Sequence, residues 1–207
     1  MTASLAASEF MRTPMLGTAE PEGFKEWHHF VVHARGLRLL INFSLNSETA
    51  PDGRFRLAPR VIVIVHDSEW RGEVARFDAS AVDISACLGD LTIGGNRMQV
   101  LPDGYLVTVG LPAQGIQGEL QFVSVSRPFV VNNQPIGSGR MNWLFVPRLH
   151  ATGWLNIGGH EHRFDNDVSY HDHNWGRFWW GDDFGWEWGT VLPHDSGDPW
   201  SLVYLRM

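Results

Sequence analysis

Between Tyr170 and Gly189 the chain reads YHDHNWGRFWWGDDFGWEWG, which sets two histidines, three aspartates and five tryptophans side by side. A carboxyl group embedded in indole loses hydration, which raises its pKa and keeps it protonated near neutrality as a general acid. Tryptophan faces stabilise a cation by about 0.5–2 kcal/mol when desolvated and do not capture it as a nucleophile would. Acid plus indole therefore suits carbocation chemistry on an apolar substrate. The competing reading is that these tryptophans only plug a small β-barrel.

Other chemistries find less support. Histidines two apart on a strand point the same way and can share a metal, and His160/His162 and His171/His173 are such pairs. A cupin-type site also needs a carboxylate shortly after the second histidine, where Asn174, Trp175, Gly176 and Arg177 stand instead, so no metal and no cofactor is expected. There is no Gly-x-Ser-x-Gly elbow, and Cys87, the single cysteine, reads as a core residue rather than a nucleophile. Gly94-Gly95 and Gly158-Gly159 are better explained as hairpin turns than as phosphate cradles, so no dinucleotide is implied.

The elements that would carry these residues read as strands. Leu37, Leu39, Ile41, Phe43 and Leu45 alternate with mostly polar neighbours, as do Tyr105, Val107, Val109 and Leu111. VIVIV at 61–65 is β-branched on both faces and reads as a strand covered on both sides. Turn signals recur at Pro51-Asp52-Gly53, Gly94-Gly95, Pro102-Asp103-Gly104 and Gly158-Gly159. A hairpin at Gly158-Gly159 sets Ile157 against His160 and Leu155 against His162. A strand through Tyr170–Trp175 sends His171, His173 and Trp175 to one face and Tyr170, Asp172 and Asn174 to the other. Phe184, Trp186 and Trp188 form a third such row. No apolar stripe of helical period persists for three turns, so the expectation is an all-β antiparallel barrel or sandwich with few, short helices.

Composition sets outer limits. The 207 residues are 43% hydrophobic and 12% aromatic, enough for a sizeable core. A net charge of −7 without any basic run argues against nucleic acid. The opening segment, MTASLAASEFMRTPMLGTAEP, lacks a cationic start and carries Glu9 where a signal peptide would be apolar, so residues 1–22 read as a flexible tail. A lone cysteine fits a reducing compartment, and the longest apolar run, Val61–Val65, is far short of the ~20 residues of a membrane helix. A cytoplasmic location is expected, with peripheral membrane contact as the variant.

Residues 142–176, NWLFVPRLHATGWLNIGGHEHRFDNDVSYHDHNWG, resemble the signature stretch of the carotenoid 1,2-hydratase (hydroxyneurosporene synthase) family and its lipocalin-like relatives, and FGWEWGTVL resembles the aromatic strand that follows it. Weaker similarity of strand order runs from about Glu26 to the C-terminus. The resemblance implies two lipocalin-like β-barrel modules with a hydrophobic site between them, residues 23–207 being one module. It implies cofactor-free addition of water across the terminal double bond of an acyclic carotenoid or other isoprenoid: an acid protonates the alkene, a tertiary cation forms beside aromatic rings, and base-activated water adds. The family's catalytic His and Trp fall on His173 and Trp175, its acidic position on Asp172, and a later tyrosine on Tyr204, with His171 as a further member. Tyr170, Trp179, Trp180, Trp186 and Trp188 would line the ligand site. The sequence departs from the family at DNDVS, which lacks a glycine before the tyrosine, at Arg206, where a carboxylate is expected, and at SLVYLRM, where members continue into a second module. A lone module is expected to be inactive and to self-associate through residues 201–205 unless another chain supplies the missing wall. A lipid- or terpenoid-binding module without catalysis, and a cyclase or pericyclase on the same scaffold, are the alternatives.

Overall fold

The computed structural model describes residue 5 and residues 8–17, 21–195 and 197–207. Strands β1 (Phe24–Ala34), β2 (Leu37–Thr49), β3 (Phe55–His66) and β4 (Trp70–Arg76) form one meander. A second comprises β5 (Val82–Ile84), β6 (Asp90–Ile93), β7 (Asn96–Leu101), β8 (Gly104–Leu111) and β9 (Ile116–Ser124). They are followed by β10 (Phe129–Ile136), β11 (Gly139–Ile157), β12 (His160–Arg177), β13 (Glu187–Val191) and β14 (Leu202–Arg206). The long β11–β12 hairpin joins the two meanders, because β12 pairs with β1 and β11 with β9, giving the order β4-β3-β2-β1-β12-β11-β9-β8-β7-β6-β5. Every pairing is antiparallel. The sheet curls into a lipocalin-like β-barrel, and short 3-10 turns supply the helical content of the described residues. Among the described residues no helix is long and apolar enough to cross a membrane.

Period-two burial fills the barrel. Leu37, Leu39, Ile41, Phe43 and Leu45 of β2, Val61, Val63 and Val65 of β3, and Tyr105, Val107, Val109 and Leu111 of β8 point inward and are buried. Ile62 and Ile64 are only half-buried, so the VIVIV strand is fully covered on one face, not both. Gly158 and Gly159 hold φ of 59° and 83° in a two-residue turn that favours glycine, and the hairpin has the anticipated register, Leu155 opposite His162 and Ile157 opposite His160. Within β11 the register shifts between Val146 and Leu149, around Pro147, which has no N–H to donate. The first half of β11 accordingly pairs with β10 and the second half with β9.

Three expectations need correction. Residues 8–17 were expected in a flexible tail, yet Glu9 and Met11 are buried in the barrel along with Leu5, because polar partners inside it receive Glu9. Cys87 is exposed, in the loop between β5 and β6, and not in the core. The C-terminal strand, β14, finds its partner within the chain, in β13. This two-stranded sheet packs on the outer face of the barrel, where Val203 and Leu205 meet residues of β1, β11 and β12.

Candidate active site

Strand β12 divides its side chains between two environments. Its partner β1 does the same in matching register, with Trp27 opposite Asn174, His28 opposite His173, and His29 opposite Asp172. From Val168 onward, odd-numbered residues of β12 face the barrel interior, as do even-numbered residues of β1 from Glu26. The other rows face outward, toward β13 and β14.

The outward rows build a pocket of about 150 Å³ lined by Trp27, His29, Trp143, Asp172, Asn174, Trp180, Trp186, Trp188 and Leu205. Trp180 and Trp186 stand 5.8 Å apart in an edge-on arrangement, and Trp27 lies 6.4 and 6.5 Å from them. Asp172 is 3% exposed; its Oδ2 accepts a hydrogen bond from the Tyr170 hydroxyl at 2.8 Å and its Oδ1 one from Asn174 Nδ2 at 2.7 Å. Burial pushes this carboxyl up to about 7, against the opposing pull of Tyr170 and Trp143. Opposite it on β1, His29 is lowered to about 4 by burial and by His171. The His29 ring meets Trp188 edge-on at 5.2 Å, and its Nε2 has no hydrogen-bond partner. The pocket thus holds a carboxyl group that retains its proton near neutrality and an imidazole that stays neutral, on facing positions of adjacent strands. Environments that drive two titratable groups apart in this way suit an acid–base pair.

The inward rows build a sealed network. Glu9 Oε1 and Glu26 Oε1 flank His173, at 2.5 Å from Nδ1 and 2.9 Å from Nε2. Burial opposes charge on all three, yet the mutual attraction prevails: both carboxyls lie below their ordinary range and His173 lies above its own. Glu26 also accepts from the backbone N–H groups of Arg12 and Thr13 and from the Thr13 hydroxyl, and Glu9 Oε2 accepts from Tyr105. Arg12 lies 3.9 Å above the Trp175 ring.

The residues anticipated as one catalytic set therefore occupy separate places. Asp172 is in the indole pocket. His171, His173 and Trp175 face the barrel interior, since neighbours on a strand point to opposite faces. Both ring nitrogens of His173 are engaged by carboxylates, and Arg12 already covers a face of Trp175. Tyr204 is half exposed and points away; Leu205, its neighbour on β14, lines the pocket in its place. Of the anticipated ligand-lining residues, Trp180, Trp186 and Trp188 are in the pocket and Tyr170 stands behind Asp172, whereas Trp179 lines a separate surface cleft with Arg12 and Phe24. Trp186 and Phe184 lie in the loop before β13, not on a strand. Sequence reasoning passed over Trp27, His29 and Trp143, and also Glu9, Glu26 and His28. The available signal was Glu26–Phe30, EWHHF, which alternates in step with the motif on β12.

Fold and site together describe a lipocalin-like β-barrel with a buried acid in an aromatic pocket on its outer face. The architecture is similar to kievitone hydratase from Nectria haematococca, at 11% identity and a TM-score of 0.53, over 86% of this chain and 55% of that one. It is also similar to an AttH-like protein from Nitrosomonas europaea, at 13% identity and a TM-score of 0.59, over 100% of this chain and 72% of that one. At such identities the likeness is one of fold, and the chain spans little more than half the length of kievitone hydratase. No family model and no curated protein sequence matches the chain.

Proposed function

We propose that the indole pocket is a proton-transfer site at which water adds to a carbon–carbon double bond of an apolar, isoprenoid-type substrate. The observation that carries this reading is the facing pair of a protonated buried carboxyl, Asp172, and a neutral imidazole, His29, inside a wall of five tryptophans. Asp172 gives its proton to one alkene carbon, and the π-electrons become the new C–H bond. The cation left on the neighbouring carbon lies beside indole faces, which lower its energy without bonding to it. Water adds to the cation, His29 takes the proton that the water loses, and exchange with solvent returns His29 to neutrality and Asp172 to its acid form.

A cavity of about 150 Å³ admits a benzene-sized group and not a whole polyene, so the branched end of a prenyl chain enters and the remainder lies outside, past the exposed Trp180. The resemblance of residues 142–176 to carotenoid 1,2-hydratases adds the acyclic carotenoid end group as the substrate to try first, and the name of the neighbour kievitone hydratase is in keeping with hydration chemistry. A carrier that holds its ligand inside the barrel has less support, because side chains such as Phe30, Phe43, Tyr105 and Phe122 fill that space.

The test is incubation with neurosporene or lycopene and chromatography for a product heavier by one water. The wild type is expected to form it. Loss of a positioned acid or base costs about 10²–10⁴-fold in rate, so Asp172→Asn and His29→Gln should fall by that much while ligand quenching of tryptophan emission persists. Hydration by Asp172→Asn at the wild-type rate would overturn the reading, and saturable quenching without product in the wild type would turn it into binding alone.

A further inference from the structure

We propose that Glu9, His28 and His171 form a binding site for a first-row divalent cation, zinc by its donor set, which ties the N-terminal segment into the barrel. The three residues come from three places in the chain: the segment before β1, β1 itself and β12. All are buried, and their ligand atoms lie within 4.8 Å of one another.

The separations are those of ligation rather than hydrogen bonding. His171 Nε2 is 3.5 Å from Glu9 Oε2, and His28 Nδ1 is 3.7 Å from Glu9 Oε1. A tetrahedral ion with bonds of about 2.0–2.2 Å holds its donor atoms roughly 3.3–3.6 Å apart. Both histidine nitrogens are buried without a hydrogen-bond partner. The opposite nitrogen of His28, Nε2, stands 3.2 Å from Met11 Sδ, a weak acceptor for the ring proton in the Nε2–H tautomer that ligation through Nδ1 requires. Nδ1 then presents a lone pair to the oxygen of an ionised carboxylate, two acceptors facing each other with no donor between them. A cation resolves that juxtaposition.

The surroundings fit as well. A ligating carboxylate is normally oriented by outer hydrogen bonds, and Glu9 has one on each oxygen, from Tyr105 at 2.9 Å and from His173 at 2.5 Å. Two imidazole nitrogens and one oxygen of Glu9 make three protein donors, the set of an open zinc site whose fourth tetrahedral position a water would take. Imidazole with carboxylate suits zinc better than the hard cations calcium and magnesium, which prefer oxygen alone. The site lies on the face of β1 and β12 opposite the indole pocket, so its role is to hold Glu9 and its segment in place, separate from the proposed hydration chemistry. It also departs from the sequence-level expectation of no metal, because one histidine and the carboxylate are distant in sequence from the His-x-His pair.

The experiment is refolding from denaturant in the presence of Zn²⁺, of Co²⁺ or of chelator alone, followed by desalting. Metal content, thermal unfolding, the Co²⁺ visible spectrum and zinc X-ray absorption are then read. The expected result is one ion per chain, a raised melting temperature, the intense visible bands of tetrahedral Co²⁺, and a zinc shell of nitrogen and oxygen with imidazole scattering. Metal binding of this kind is coupled to folding, so Glu9→Gln and His28→Gln should retain below about 0.1 ion per chain, while His162→Gln retains one. Tyr105→Phe, which removes only an orienting hydrogen bond, should weaken binding by about 10–100-fold. Should His28→Gln fail to fold, the absorption spectrum of the wild type still decides. Zinc without imidazole scattering, full zinc content in Glu9→Gln, or a wild type that refolds identically with and without metal would each overturn the proposal.

Discussion

Asparagine at position 172 separates the thermodynamic cost of holding a carboxyl group in an indole pocket from its use in chemistry. In the folded chain burial moves the group from 3.8 to about 7, so the native state keeps a proton that the unfolded chain has already released between those values. Stability therefore falls as pH rises through this window, and above about pH 7 the loss reaches its full extent. At about 1.4 kcal/mol per tenfold, the shift amounts to up to about 4 kcal/mol. Asparagine has nearly the same shape and carries no such cost. Its Oδ1 still accepts from Asn174 Nδ2, and the Tyr170 hydroxyl turns from donor to acceptor toward the new amide. Asp172→Asn is thus expected to match the wild type near pH 4 and to exceed it by up to about 4 kcal/mol at pH 8, while losing the acid step. Urea unfolding across pH 4–8, with chelator present so that both proteins are compared free of metal, measures the difference. A difference that does not change with pH, or a variant less stable than wild type at pH 8, would refute the reasoning.

Trp175→Phe should leave any hydration rate within about threefold and cost about 1–2 kcal/mol of stability, because the indole faces the barrel under Arg12 and not the pocket; a tenfold rate loss at unchanged melting temperature would return Trp175 to the chemistry. His173→Gln removes the imidazolium between Glu9 and Glu26 and should lower stability by about 3–5 kcal/mol in thermal or urea unfolding, a loss below about 1 kcal/mol showing that the three do not form a charged network. A Cβ on Gly104 would stand 1.8 Å from the carbonyl oxygen of Phe122 on β9, so Gly104→Ala should weaken the barrel by about 3 kcal/mol, and wild-type stability of that variant would mean that β8 and β9 lie further apart than described.

How far the molecule was legible in its sequence follows from which signals are local. The inward rows of β2 and β8 and the β11–β12 hairpin register are local, set by alternation and by glycines in a two-residue turn, and they read correctly. β1 was harder. Trp27 and His29 on one face and Glu26 and His28 on the other give it polar or amphipathic groups on both sides, so it lacks the clean apolar face that marks a half-buried strand. Glu9 could not be read at all from its neighbours. Burying a lone carboxylate is costly, and the convergence of Tyr105 and His173 makes its position favourable, information that lies 96 to 164 residues away.

The division of the motif, by contrast, was open to inspection. A strand through Tyr170–Trp175 already implies that Asp172 and His173 point to opposite sides, so the two cannot jointly touch one substrate unless the strand breaks between them. β12 runs unbroken through both positions. A motif of consecutive functional residues on a strand therefore specifies two half-sites back to back. Each must draw its partners from the neighbouring strand at the paired positions. Here those partners are His29 for the acid in the pocket and His28 for the histidines inside the barrel.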